Sequence, residues 1–416
     1  MFDFVMTEEQ KRLREEVRDF VKWVPRELVL DMDRDVVKFP KEFLREAGRR
    51  KLMGCRYPRQ WGGRGMDWVS TGIVMEEVGT IGYELACVFG VGAELVCDAI
   101  IQHGTDAQKE KYVKPLLRGE IFAAECLTEP RGGSDFFGAT TKAEDKGDYF
   151  LLNGQKRFIV GGEGADYFLV YARTDFSPQA KPQESITAFI VDRGPGVETK
   201  YLYNLMGCRG GGTARLVFRD VKVPRENVLG RVNGAYDVFN TMMIPERLGT
   251  AIMTIGTART ALEIATHYTT RRKAFGRTIN QFQGVSFQIA EAAMLLDAAR
   301  AMGYTTCRAV DAGSDVNKTR RLISESKKFI TEACQKVVHN AMQVVGGIGY
   351  TTVFPLERIY RDIRLATIWT GTSEVMSMIV AHEWYRECMM ERAKRKMRDF
   401  EADAEEAFAE EEKIYE

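Results

Sequence analysis

The chain has 416 residues, of which 45% are hydrophobic, and its 59 Lys and Arg balance 59 Asp and Glu. Zero formal charge leaves no basic excess to attract a polyanion, which argues against a nucleic-acid binder or a membrane-surface binder. The length allows a large buried core in two or three domains, or one large enzyme unit.

Residues 1–122 carry helical signals. The segment TEEQKRLREEVRDFVKWV opens on a Thr-x-x-Gln capping pattern, and VSTGIVMEEVGTIG and AELVCDAIIQHGTDAQKEKYVKPLLRG follow with helical periodicity. The start is amphipathic and charged, without the basic and apolar regions of a secretory signal. Near residue 123 the period changes to the alternation of strands in YFLLNGQKRFIV, DYFLVYARTD, SITAFIVDRG and TARLVFRDVKV. Asn153-Gly154 reads as a hairpin turn. Residues 123–237 are therefore expected to form a middle β-domain, barrel-like or sandwich-like. The Gly-rich stretches at 161–164 and 209–212 lie among strands and lack a following helix, so neither reads as a Rossmann or phosphate loop. Helical period returns from PERLGTAIMTIG onward, and 238–390 is expected to form a four-helix bundle. Residues 391–416, basic then acidic, read as a charged extension. The fold class is thus α+β, with helical, β and helical domains in that order.

The cysteines at 55, 87, 97, 126, 208, 307, 334 and 388 include no Cys-x-x-Cys pair, and the four histidines lack ligand spacing. Reduced thiols, a cytoplasmic location and no metal are the expectation.

Four stretches, LTEPRGGSD at 127–135, LNGQKRFIVGG at 152–162, RRKAFGRTINQFQ at 271–283 and MQVVGGIGYTTVFPLERIYRD at 342–362, with WTGTSE after the last, carry a resemblance to the acyl-CoA dehydrogenase family. The resemblance implies bound FAD, a CoA thioester against one flavin face, an electron-transferring flavoprotein as redox partner, and a homotetramer. It also assigns residues to the cofactor. Leu127, Thr128 and Ser134 supply short polar groups and turn amides, and Phe158 lies against the isoalloxazine. Arg272, with Phe275 in the same motif, supplies a planar cation for phosphate. Gln343, Gly346 and Gly347 approach the adenosine end from a neighbouring subunit, and Thr372 and Glu374 complete the set. At Val160 many relatives carry Thr or Ser, so a hydroxyl near flavin N5 is missing here.

Thioester dehydrogenation needs a base for the α-proton. Many relatives place a Glu immediately before the Gly of the WTGTSE turn, but here that residue is Thr370, whose hydroxyl is far too weak a base. In other branches the carboxylate stands on the first helix of the C-terminal bundle, and Glu246, directly before Arg247, occupies the matching place. Glu246 is the expected catalytic residue. Ser134, Arg247, Thr370, Gly371, Gly90, Val91 and Glu94 are expected to contact substrate. Gly90 and Gly92 in GYELACVFGVGAELVCD would widen the acyl cavity for a branched, cyclic or aromatic group. Glu84, Glu94 and Asp98 on that helix are alternative acids, as in cyclic-diene-forming relatives. The competing readings are an enoyl-CoA reductase running the reverse reaction and a non-catalytic acyl-CoA binder.

Overall fold

The computed structural model describes residues 6–313 and 315–392, so all but the first two residues of the expected charged extension lie outside the described residues. Thr7 Oγ1 accepts from Gln10 N at 3.2 Å and Gln10 Oε1 accepts from Thr7 N at 3.0 Å, a reciprocal cap that starts α1 (Glu8–Trp23). Leu13, Val17 and Phe20 form its buried stripe. Then come α2 (Arg26–Asp33), α3 (Lys41–Arg49), α4 (Trp68–Gly79) and α5 (Tyr83–Gly90). A π-helical segment at Val91–Val96 leads into α6 (Cys97–His103), and α7 (Asp106–Gln108) and α8 (Lys114–Leu117) complete the N-terminal helices.

The strands of the middle domain are β1 (Ala123–Cys126), β2 (Lys142–Asp145), β3 (Tyr149–Ile159), β4 (Tyr167–Arg173), β5 (Ile186–Asp192), β6 (Val197–Leu202), β7 (Ala214–Pro224) and β8 (Val228–Leu229). They form one sheet in the order β6-β7-β3-β2-β4-β5-β8, and β1 pairs in parallel with β4. The ladder is open among the described residues, so the domain takes the sandwich-like rather than the barrel-like form. Phe150 of β3 meets Phe189 of β5 at 5.0 Å, and Phe168 of β4 meets Phe218 of β7 at 6.4 Å, so the sheet folds over its own core. Asn153-Gly154 is not a hairpin turn. β3 runs straight through it, and the pair makes a bulge against β7, with Gly154 at φ +155° and the register shifting between Leu152 and Gly154. The β7 strand pairs on both sides of this point, which holds the chain extended where local turn chemistry alone would reverse it. The actual turn lies at Gly147, φ +89°, between β2 and β3.

The bundle consists of α9 (Ala235–Thr269), α10 (Gln283–Asp311), α11 (Val316–Val345) and α13 (Ser373–Arg392), with α12 (Leu356–Ile363) between the last two. A short hairpin, β9 (Lys273–Ala274) and β10 (Arg277–Thr278), follows α9. Helix α9 starts well before Pro245 and carries that proline inside it. One apolar core runs from the N-terminal helices across one face of the sheet into the bundle, and it includes Ala123 of β1 and Tyr167, Leu169 and Tyr171 of β4. The alternate β1 residues, Ala124 and Cys126, belong instead to the sheet's inner core. Strand alternation thus turns Glu125 and Leu127 toward the helices.

Candidate functional site

The LTEP turn is held by a buried ion pair. Lys156 Nζ donates to Glu129 Oε1 at 3.0 Å and to the Leu127 carbonyl at 3.1 Å, and both side chains are almost fully buried. Thr140 N and Oγ1 donate to Glu129 Oε2 at 2.6 and 2.7 Å, and Thr141 N donates to Oε1 at 2.9 Å. Burial alone would raise the Glu129 pKa, but Lys156 and these donors overcome it and hold it at about 2. The Thr128 carbonyl accepts from Arg157 N at 2.9 Å, which ties the turn to the end of β3. There Phe158 adopts φ +57° and stays 47% exposed, with one side covered by Tyr203 at 4.5 Å. Leu127 and Val160 are partly buried beside it, and Ser134 is exposed.

The second group lies where α9 meets the WTGTSE turn. Arg247 Nε approaches the Thr370 carbonyl at 3.4 Å, and Lys327 of α11 donates to the Gly371 carbonyl at 2.7 Å. Thr370 is held at φ +56° and Gly371 at φ +90°. Thr372 Oγ1 accepts from Val375 N at 3.2 Å in the first turn of α13, where Glu374 is exposed. Glu246 Oε2 and Thr370 Oγ1 are buried and have no hydrogen-bond partner. Burial pushes the Glu246 pKa up to about 7 against the pull of Arg247 and Lys327. Burial also brings Arg247 down to about 10 and Lys327 down to about 8, the latter helped by Arg247.

The third group lies at the far end of α9. Tyr268, Arg272, Ile279, Val345, Gly347 and Ile348 line a pocket of about 320 Å³. Gly346, at φ +73°, and Gly347 have open space where a Cβ would stand. Gln343 is exposed on the last turn of α11. Phe275 and Gly276, at φ +49° and +80°, form the tip of the β9–β10 hairpin, and Phe275 is 95% exposed. A different cavity, of about 510 Å³, lies among α1, α4, α9 and α10 around the Glu76–Arg300 and Glu77–Arg259 ion pairs, away from all three groups.

The acids of the expected pocket helix are engaged by arginines. Glu94 is buried. It pairs with Arg56, whose Nη2 also donates to Asp98 Oδ1 at 2.6 Å. Glu84 accepts from Arg358 Nη1 at 2.9 Å. All three acids are thereby tied up in ion pairs. Gly90 and Gly92 stand close to neighbouring side chains. A Cβ on Gly90 would stand 3.1 Å from Met75 Cε of α4, a tight approach, and one on Gly92 would stand 3.5 Å from Leu116 Cδ1, an ordinary contact. Val91, between them, is buried.

The sequence reading missed Lys156 and Glu129 as the clamp, Lys327 beside the turn, and Glu125. The visible signal for Glu125 was a single charge in the apolar run FAAECL.

The three groups suit FAD. Phe158 offers a half-exposed aromatic face beside anchored turn amides, and the open backbone at Gly346-Gly347 beside Arg272 leaves room for a phosphate and a nucleoside. Arg272→Ala is expected to weaken FAD retention about tenfold or more, the scale of a lost charge-assisted hydrogen bond, and Gly347→Val to lower occupancy by filling that space. The flavin-to-protein absorbance ratio after gel filtration checks both, and full occupancy in the two variants would remove this pocket from the cofactor site.

Family profiles described as acyl-CoA dehydrogenase N-terminal, middle and C-terminal domain match residues 7–120, 124–221 and 233–384. The caffeyl-CoA reductase-Etf complex subunit CarC of Acetobacterium woodii is 36% identical over 90% of this chain and 98% of its own. The 3-(aryl)acrylate reductase of Clostridium sporogenes is 34% identical over the same shares. The solved butyryl-CoA dehydrogenase from Megasphaera elsdenii superposes with a TM-score of 0.87 at 32% identity, covering 92% of this chain and 99% of that one.

Proposed function

The chain belongs to the acyl-CoA dehydrogenase family, and from that premise we propose that Glu246 is its acid-base residue and that its substrate is a CoA thioester with a bulky, aromatic acyl group. The protein is an FAD-dependent oxidoreductase of the acyl-CoA dehydrogenase type. Bound FAD supplies a two-electron acceptor or donor for hydride at the substrate Cβ.

The reading rests on one observation, the unpartnered, buried Glu246 carboxyl with a pKa near 7. A carboxyl poised there takes the α-proton when ionised and returns it when protonated, near the optimum for a general acid or base. Arg247 and Lys327 bind the carbonyls of Thr370 and Gly371 and so fix the turn beside Glu246. Phe136 stacks on Phe239 at 4.3 Å and meets Tyr171 edge-on at 5.2 Å, an aromatic cluster on the Met242 side of α9, and it supports an aryl group together with the names of the two reductase relatives.

A carboxyl with a pKa near 7 serves either direction, and the reductive one is proposed from the names of the two reductase relatives. Electron-transferring flavoprotein is the proposed redox partner, as the Acetobacterium relative's name places it in an Etf complex. A homotetramer, with Gly346-Gly347 of one subunit against the FAD of the next, is proposed from the exposed Phe275, Phe287, Tyr350 and Val353.

The test is a panel of aliphatic, branched and aryl-propanoyl-CoA thioesters mixed with oxidised enzyme, and the matching enoyl-CoAs mixed with reduced enzyme, following the flavin band. Fastest reaction with the aryl pair supports the reading. Reaction confined to short straight chains would overturn the substrate class.

A further inference from the structure

Glu125 lies on the face of β1 turned toward the helices. It pairs in register with Leu169 of β4, and Tyr171 follows two residues on along the same face. Tyr171 Oη reaches Met242 Sδ at 3.4 Å, which presses this face of the sheet against α9. On α9, Phe239, Met242 and Glu246 stand at i, i+3 and i+7 and share one side of the helix. Glu125 and Glu246 are therefore brought to the same space from two different elements.

Glu125 Oε1 is buried and has no hydrogen-bond partner, like Glu246 Oε2 and Thr370 Oγ1 nearby. The cation on its side, Lys156, is already committed to Glu129 and the Leu127 carbonyl. Burial and the neighbouring Glu246 carboxyl push the Glu125 pKa well above the usual range, and Lys156 opposes this only in part. A buried polar atom left unsatisfied is costly, and it calls for a partner, a ligand or a water, to complete it. Glu125 as a neutral carboxyl both donates and accepts. A hydroxyl does the same. Glu246 beside it already has Arg247 and Lys327 as its cations, so a neutral hydroxyl completes Glu125 without adding a further buried charge. The aromatic cluster of Phe136, Tyr171 and Phe239 on the same side of α9 suits the rest of such a group.

We infer that Glu125 is a specificity-determining residue that hydrogen-bonds a hydroxyl on the acyl group beyond Cβ, so that the preferred substrate is a hydroxylated aryl-acyl thioester. The inference rests on the aromatic-acyl reading above. Glu125 handles no proton of the reaction. It satisfies a polar atom that an unsubstituted ring leaves bare.

The test compares two probes of one shape, 3-phenylpropanoyl-CoA and 3-(4-hydroxyphenyl)propanoyl-CoA, in single-turnover flavin reduction. The ratio of their rate constants at limiting substrate is taken within each variant, so differing flavin content cancels. The native chain is expected to prefer the hydroxylated probe by about tenfold or more, as sites built around a substrate hydroxyl do. Glu125→Leu should bring the ratio close to one, and Glu125→Gln, which still donates and accepts, should keep most of it. Equal rates for the two probes in the native chain, or an undiminished ratio in Glu125→Leu, would overturn the assignment of Glu125 alone. Reaction with neither probe would instead overturn the aromatic-acyl reading beneath it.

Discussion

Glu246→Gln is expected to bind FAD and CoA thioester and to lose about 10²–10⁴-fold in the rate of flavin reduction, the contribution of a positioned general base. The variant is isosteric and stays neutral, so the unpartnered carboxyl oxygen of Glu246 is replaced without leaving a cavity. Thr370→Ala should be mild by comparison, because that hydroxyl has no partner to lose. In the native protein, flavin reduction by a saturated thioester needs the ionised carboxylate, so its rate should rise with pH through about 7 and then level off. The reverse reaction needs the protonated form and should fall across the same range. Stopped-flow flavin absorbance with the best thioester from the panel reads both. A native rate in Glu246→Gln would place the base elsewhere, and the ion-paired Glu84, Glu94 and Asp98 would each first have to leave its arginine.

Lys156→Met is expected to destabilise the protein by about 3–5 kcal/mol, because it leaves Glu129 charged and buried without its cation. The LTEP turn should loosen with it, since Lys156 also holds the Leu127 carbonyl. A Glu129→Gln and Lys156→Met double variant should recover part of the loss, as removing both charges removes the desolvation problem. The pH dependence has a definite sign. Glu129 falls to about 2 in the folded state from an ordinary 4.5, so its stabilisation is complete above that ordinary value and is lost as pH falls toward 2. In Lys156→Met this acid-side loss should shrink to what the Thr140 and Thr141 donors maintain. Denaturant titration at several pH values measures it. A loss under about 1 kcal/mol, the range of exposed pairs, would show that the clamp is solvated.

The succession of helical, strand-rich and helical segments was legible because burial writes its period into the sequence, from the 3.6-residue stripe of Leu13, Val17 and Phe20 to the alternation in β1. Errors arose where a partner distant in the chain decides the outcome. Asn153-Gly154 has turn chemistry, but β7, more than sixty residues later, keeps it extended. Gly90 looked like vacated space until Met75 was seen to fill it. Glu94 looked available because Arg56 precedes it by 38 residues. The motif residues around Arg272 and Gly347 were legible only through family resemblance, as nothing local joins the end of α9 to the end of α11. Glu125 went unread for the opposite reason. It falls inside a short apolar strand where no motif points to it, and only the facing helix gives its charge a meaning.

The turn at Thr370 bears on how such a site keeps its shape. A β-branched residue at φ +56° carries about 1–3 kcal/mol of backbone strain that glycine or asparagine would relieve. Thr370 therefore does not dictate the shape of the turn. Lys327 and Arg247 impose it by gripping the backbone carbonyls, and neither touches the side chain. A backbone gripped in this way holds its shape against the strain of the residue it carries, and Thr370→Gly or Thr370→Asn would keep the turn while relieving that strain. On the role proposed for Glu246, the turn at Thr370 gives the site its shape and α9 gives it the acid, so the two can be altered separately.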